Sequence, residues 1–229
     1  MVPPAVTTPE FQVLDGSNPL VRRMRELVRG PDASDGWRKC WNGQVTPWDL
    51  GQPTPAVTKL VQSETLIKCG RVLVPGCGAG YDVVEFSTAD RYVVGLDVCE
   101  AAFKMVKEWS SSSPKANFVE FVEADFFTWV PTEPFDIIFD YTFFCAVHPS
   151  LRQAWAQRMD YLLKPEGELI TLMYLIQGQE DGPPFNTTES DYENVLTPLG
   201  FIITSIEDNH NAVEPRKGGP KSQVRTIER

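Results

Sequence analysis

Three glycines at positions 76, 78 and 80 stand directly after the apolar run Arg71-Val72-Leu73-Val74, and Asp97 closes the next apolar run, 21 residues beyond Gly76. Glycines spaced in this way let a chain bend sharply between a strand and a helix and bring backbone N–H groups against a ligand. An acid at that distance is placed to accept hydrogen bonds from the hydroxyls of a ribose. Together they describe a site for a nucleoside-containing cofactor, and NAD or S-adenosylmethionine would satisfy the pair. Two further features separate them. A dinucleotide loop reads G-x-G-x-x-G and sets a pyrophosphate on a helix N-terminus, whereas this loop reads G-x-G-x-G with acidic Asp82 close behind, where a diphosphate would gain little. In Glu123-Ala124-Asp125-Phe126-Phe127, Asp125 is placed to accept from the exocyclic amine of an adenine, and Phe126 to offer its backbone N–H and a ring beside the base. The constellation favours S-adenosylmethionine.

A methyl group on a sulfonium already carries a good leaving group, so a protein using it must align the nucleophile and strip its water. Tyr141 ends the run Phe135-Asp136-Ile137-Ile138-Phe139-Asp140-Tyr141 and emerges where an acceptor would arrive; Tyr141 and Tyr174 are the candidates for orienting it through their hydroxyls. Phe143 and Phe144 would help to exclude water, and aromatic faces stabilise a cation by about 0.5–2 kcal/mol each. His148 would serve a protonated acceptor as a base, but a proline follows it and a surface histidine is the simpler reading. Arg152 and Lys217 read as solvated charges. The cysteines at 40, 69, 77, 99 and 145 are odd in number, contain no C-x-x-C pair and have only two histidines to assist them, so no metal site is expected. They read as reduced thiols of the cytosol.

The elements that must hold these residues follow from composition and periodicity. The chain has 229 residues, 42% hydrophobic and 23% charged, enough for one substantial core. Its 21 Lys and Arg against 31 Asp and Glu give a formal charge of -10, which repels phosphate backbones and anionic membranes. Nucleic acid is excluded as an expected partner, and no apolar run approaches the roughly 20 residues of a membrane span. The opening Met1–Glu10 carries no secretory pattern, so the expected location is cytoplasmic. Oligomeric state is not legible.

Residues 1–17 are proline-rich and predict a flexible arm; residues 18–229 predict a single domain, with 18–66 a helical lid and 67–229 a catalytic sheet core. An amphipathic helix is expected over Asn18–Arg29, and Thr54-Pro55 opens another running to about Leu66. Between them Trp37, Trp41 and Trp48 fall within twelve positions, more than a solvated linker tolerates. Apolar runs at 71–74, 92–96, 118–122, 135–139, 168–175 and 201–206 alternate with helical stretches, which describes an α/β, doubly wound, mostly parallel sheet buried on both faces. Lys164-Pro165-Glu166-Gly167 reads as a turn, Ser190-x-x-Glu193 as a capping box, and 221–228 as an antiparallel edge strand.

With these residues in view, the chain resembles the plant halide and thiol methyltransferases, a branch of the thiopurine S-methyltransferase family. The resemblance runs from Gly36 to about Gly218 and is carried by Gly36-Trp37-Arg38-Lys39-Cys40-Trp41, Thr46-Pro47-Trp48-Asp49-Leu50-Gly51, Val74-Pro75-Gly76-Cys77-Gly78, Val94-Gly95-Leu96-Asp97, residues 135–146 and residues 162–174. It implies a seven-stranded class I S-adenosylmethionine-dependent methyltransferase fold. Trp37, Trp41 and Trp48 would close over the cofactor beside Gly76, Gly78, Asp97, Asp125, Phe126 and Tyr141. It further implies small soft acceptors: iodide, bromide, chloride, hydrosulfide and thiocyanate. The chain departs from the family pattern at Ala79, where a glycine is usual, at His148, where an acid is usual, at Leu175, where a proline is usual, and after Gly218. The last two departures bear on acceptor preference. A larger organic thiol as acceptor, an NAD-dependent dehydrogenase and a catalytically silent cofactor-binding module stand as alternatives.

Overall fold

The computed structural model describes residues 14–30, 32–63, 69–111, 114–208 and 222–228. The first helix, α1 (Pro19–Val28), is capped by Asn18, which accepts from the Leu20 N–H at 2.9 Å. It buries Val21 and Met24 and turns Arg22, Arg23 and Glu26 outward, the amphipathic split the sequence predicts. Asp32 caps α2 (Ala33–Asn42) by accepting from the N–H groups of Ser34 and Asp35. Pro55 opens α3 (Pro55–Gln62). Its expected extension to Leu66 falls mostly on 64–68, outside the described residues, as do residues 1–13 of the expected arm. Leu14, just after them, is buried with Val21 and Met24.

The alternation that follows is β1 (Gly70–Pro75), α4 (Tyr81–Phe86), β2 (Arg91–Asp97), α5 (Glu100–Ser110), β3 (Val119–Glu123), β4 (Phe135–Tyr141), α6 (Arg152–Leu162), β5 (Leu163–Tyr174), α7 (Glu189–Leu196), β6 (Ile202–Asp208) and β7 (Ser222–Glu228). The strands lie in the order β3-β2-β1-β4-β5-β7-β6. The first five run parallel, and β7 pairs antiparallel with both its neighbours. From β1 the chain winds outward through β2 and β3, then returns to place β4 on the other side. That reversal opens a crevice at the carboxyl ends of β1 and β4, where ligands bind in such sheets.

Successive side chains of each strand serve opposite faces. Leu73 and Ile138 pack with Trp155, Met159, Leu162 and Tyr192 of α6 and α7. Val72, Val74, Ile137 and Phe139 pack with Val57 of α3 and Val83 and Phe86 of α4. Burial on both faces explains why the runs read as continuous apolar segments.

Three sequence expectations are corrected. The capping box is Thr188 with Asp191, two residues earlier than Ser190 with Glu193: the Thr188 side chain accepts from the Asp191 N–H, and Asp191 accepts from the Thr188 N–H. Lys164–Gly167 is not a free turn; α6 passes directly into β5, and the register against β4 shifts between Phe135 and Ile137 to absorb the irregular stretch. The strand 222–228 is interior, between β5 and β6, so β6 forms the edge.

Candidate active site

The carboxyl ends of four parallel strands meet around a cavity of about 660 Å³. The strand β1 delivers Gly76 and Gly78, β2 delivers Leu96 and Asp97, β3 leads to Ala124, Asp125 and Phe126, and β4 leads to Thr142 and Phe143, all of which line it. The glycine turn adopts left-handed backbone, with φ of +58° at Gly76 and +52° at Gly78. A Cβ at Gly76 would sit 2.4 Å from Cδ2 of Phe143, and one at Gly78 would sit 3.1 Å from Cζ2 of Trp41. The loop is therefore closed against both the β4 segment and the tryptophan segment.

Asp97 is 9% exposed and accepts from the Gly78 N–H at 2.9 Å and the Cys99 N–H at 3.2 Å. Burial pushes its carboxyl up to about 6, against the lowering effect of these backbone donors. The carboxylate oxygens, with about four acceptor positions between them, keep capacity beyond these backbone donors. Asp125 accepts from the Phe127 N–H at 2.9 Å, so it turns its own loop while lining the cavity. Phe126 is buried edge-on to Phe127 and Phe143, with ring centroids at 5.3 and 5.0 Å.

The tryptophans form one unit over this floor. Trp37 and Trp41 are four residues apart on α2 and share a face. Trp48 stands edge-on to both, at 5.2 Å from Trp37 and 5.7 Å from Trp41, and all three line the cavity. The segment 181–185 also lines the cavity. Arg25 of α1 donates to the Pro183 carbonyl at 3.1 Å and to the Gln179 side chain at 2.6 Å, and Arg29 pairs with Asp181. Sequence gave no signal for this segment, since its partners lie some 150 residues apart.

Two sequence-predicted residues are not brought to the cavity. Tyr174 is 5% exposed at the end of β5 and packs with Val21, Met24, Cys40 and Cys145, with Trp37 and Trp48 against the same cluster; it backs the tryptophan segment. Tyr141 is half-buried against the cluster of Val57, Val74 and Phe139, because β4 alternation turns it to the α3 face. Neither belongs to the cavity wall. Phe143 does, whereas Phe144 turns inward to stack on Tyr192 with centroids 4.0 Å apart. Arg152 is buried, 3.0 Å from Asp191, and its guanidinium lies over the Phe144 ring, so it is structural and not a solvated charge. His148 lines the cavity mouth, while Lys217 lies outside the described residues.

Asp82 also has a different task from the one its sequence position suggests. It does not line the cavity; it holds Thr54, the residue that opens α3. Its value in separating the two cofactors is thus lost, and the separation rests on Asp125, Phe126 and the loop spacing. Cys77 does not line the cavity, and burial raises its thiol well above the ordinary range, against formation of a thiolate.

One residue the sequence reading passed over is Asp140. It is 1% exposed within β4, accepts from the Phe144 N–H at 3.2 Å and the Trp155 Nε1–H at 3.1 Å, and is pushed by burial to about 7. It fixes the turn in which Thr142 adopts φ +57° and Phe143 reaches the cavity. The signal was there, as an acid inside an otherwise apolar strand.

Strand order, the glycine turn after β1 and the carboxylate ending β2 are those of the class I S-adenosylmethionine-dependent methyltransferases. The solved magnesium protoporphyrin IX methyltransferase of Synechocystis PCC 6803, with bound SAM, shares this fold at a TM-score of 0.61 and 12% identity, covering 99% of this chain and 100% of that one. Within that class the chain belongs to the thiopurine S-methyltransferase family, whose model matches residues 32–229. It is 54% identical over 200 residues to "Probable thiol methyltransferase 2" of Arabidopsis thaliana, covering 87% of this chain and 88% of that protein. It is 53% identical over 186 residues to "Thiocyanate methyltransferase 1" of Brassica oleracea, covering 81% and 82%. The protein is an S-adenosylmethionine-dependent methyltransferase.

Proposed function

We propose that the protein methylates small soft anions, thiocyanate, hydrosulfide and halides, within the cavity at the carboxyl ends of β1 and β4. The observation that carries this reading is the close identity, over most of both chains, to a relative named for thiocyanate. The character of the cavity supports it. At about 660 Å³ it is the size of a small-molecule site, and its walls bring together Trp37, Trp41, Trp48, Phe126, Phe143 and Phe185. The donor set fits S-adenosylmethionine, with acids at the nucleoside end and aromatic faces for a sulfonium.

When bound, S-adenosylmethionine supplies an electrophilic methyl carbon, whose bond to sulfur breaks as an acceptor lone pair displaces it, the electrons leaving with the sulfur. The protein's share is placement and drying. Asp97 receives the ribose hydroxyls, and Asp125 with Phe126 receives the adenine. The tryptophan unit of the lid, residues 18–66, covers the site over the core, residues 67–229. A halide or thiocyanate needs no general base, so the aromatic wall has only to exclude water and align the anion. Tyr174 supports that wall from behind, and Tyr141 lies outside it. We place the protein in the cytosol; its five cysteines are all free, and no helix among the described residues is long and apolar enough to cross a membrane.

The test is to offer purified protein thiocyanate, iodide, hydrosulfide and an aromatic thiol with methyl-labelled cofactor. Turnover of the small anions is expected. Turnover confined to the aromatic thiol would replace this reading with that of a larger-thiol methyltransferase.

A further inference from the structure

The charged side chains on the cavity wall are Arg29, Asp97, Asp125 and Asp181, and Arg29 is already paired with Asp181. Such a lining offers little to an anion. On the wall that follows β4, the Thr142 hydroxyl donates to its neighbour, the Tyr141 carbonyl, at 2.7 Å. His148 remains at the mouth of the same wall.

The imidazole of His148 is held at two points. Its Nδ1 accepts from the Ser150 N–H at 3.3 Å, capping the turn Pro149–Leu151, and lies 2.8 Å from the Ser150 hydroxyl. Its ring stands edge-on to Phe185, centroids 5.3 Å apart at 80°, and the Phe185 N–H is itself tied to the Cys145 carbonyl at 2.8 Å. A neutral imidazole has one nitrogen that accepts and one that donates. With Nδ1 engaged as the acceptor of a backbone N–H, the ring proton resides on Nε2. The nitrogen that would take a proton from a thiol is therefore the one Ser150 occupies. The other is a donor.

We propose that His148 is a specificity-determining residue, its Nε2–H donating a hydrogen bond to the anionic acceptor at the cavity mouth rather than removing a proton from a neutral thiol. This rests on the reading of the acceptor as a small anion. The proton stays on Nε2 throughout: the anion arrives ionised, and its own lone pair forms the bond to the methyl carbon. A thiol is then methylated only in its thiolate form, and the ionisation that governs its rate is its own.

The experiment compares wild type, H148F and H148Q with thiocyanate and with an aromatic thiol, across a pH range that spans the thiol's ionisation. S-adenosylhomocysteine affinity is measured on each protein as a check on the site. H148F keeps a ring beside Phe185 but removes the donor, and should raise KM for thiocyanate about tenfold, the scale of one hydrogen bond to a charged group. H148Q, which restores an N–H donor, should recover most of that loss. The thiol's kcat/KM should follow its own ionisation with the same midpoint in all three proteins. Two results overturn the inference: thiocyanate kinetics unchanged in H148F, or a loss confined to the thiol below its ionisation midpoint, which would make His148 a base. Wild-type protein inactive on every small anion would remove the underlying reading, and this inference with it.

Discussion

Asp82 accepts both the backbone N–H and the hydroxyl of Thr54, at 2.7 and 2.8 Å, and so joins the start of α3 to the helix that follows the glycine loop. Both residues contribute to one contact between the N-terminal extension and the sheet core. Thr54→Val keeps the shape and deletes the hydroxyl, leaving one carboxylate oxygen short of a partner in a buried setting. The expected cost is about 1–3 kcal/mol of unfolding free energy, measured by urea denaturation, with S-adenosylhomocysteine affinity little changed.

Asp97→Ala should weaken S-adenosylhomocysteine binding about tenfold or more, since contacts from a buried carboxylate to ribose hydroxyls are worth ~1.5–3 kcal/mol. Isothermal titration calorimetry reads this directly. Unchanged affinity would refute the placement of the ribose at Asp97.

The same carboxylate gives cofactor affinity a pH dependence. Burial holds Asp97 at about 6, and the ribose hydroxyls proposed to bind there would donate to its ionised form. Affinity for S-adenosylhomocysteine should therefore be level above about pH 7 and fall as pH drops through 6, with a limiting dependence of one proton. In Asp97→Asn that dependence should disappear.

Stability should run in the opposite direction. Asp82, Asp97 and Asp140 are raised to about 6, about 6 and about 7, so the folded apoprotein holds these protons more tightly than the unfolded chain does. Their contribution is complete below the ordinary carboxylate range near pH 4 and is lost as pH rises through 6 to 7. Asp15, Asp136 and Asp181 are lowered and oppose this only at more acid pH. The urea midpoint of apoprotein should be higher at pH 6 than at pH 8, and Asp140→Asn should flatten the upper part of the curve.

Trp48→Ala removes the ring that stands edge-on to both Trp37 and Trp41. Truncating a core tryptophan costs about 3–5 kcal/mol, and this partly buried one should cost less, roughly 2–3 kcal/mol. Because the ring also lines the cavity, calorimetry should show a loss of cofactor affinity that Thr54→Val does not produce.

The sequence by itself determined the strand and helix alternation, the glycine turn and the spacing to Asp97 and Asp125, because each is a local pattern: apolar runs buried on both faces, positive φ at Gly76 and Gly78, acids at fixed distances along the chain. It also marked the segment of Trp37, Trp41 and Trp48 as one that had to pack on something; that the rings stand against one another is a tertiary outcome. What it left to the tertiary structure was direction. Tyr141 and Tyr174 were prominent by type, but strand alternation and the α1–α2 cluster turned them away from the cavity. Asp82 was given to Thr54 and not to the ligand, and His148, read as a surface histidine, was set at the cavity mouth edge-on to Phe185. These outcomes depend on contacts between segments far apart in the chain, and no local pattern records which of two faces a side chain will meet.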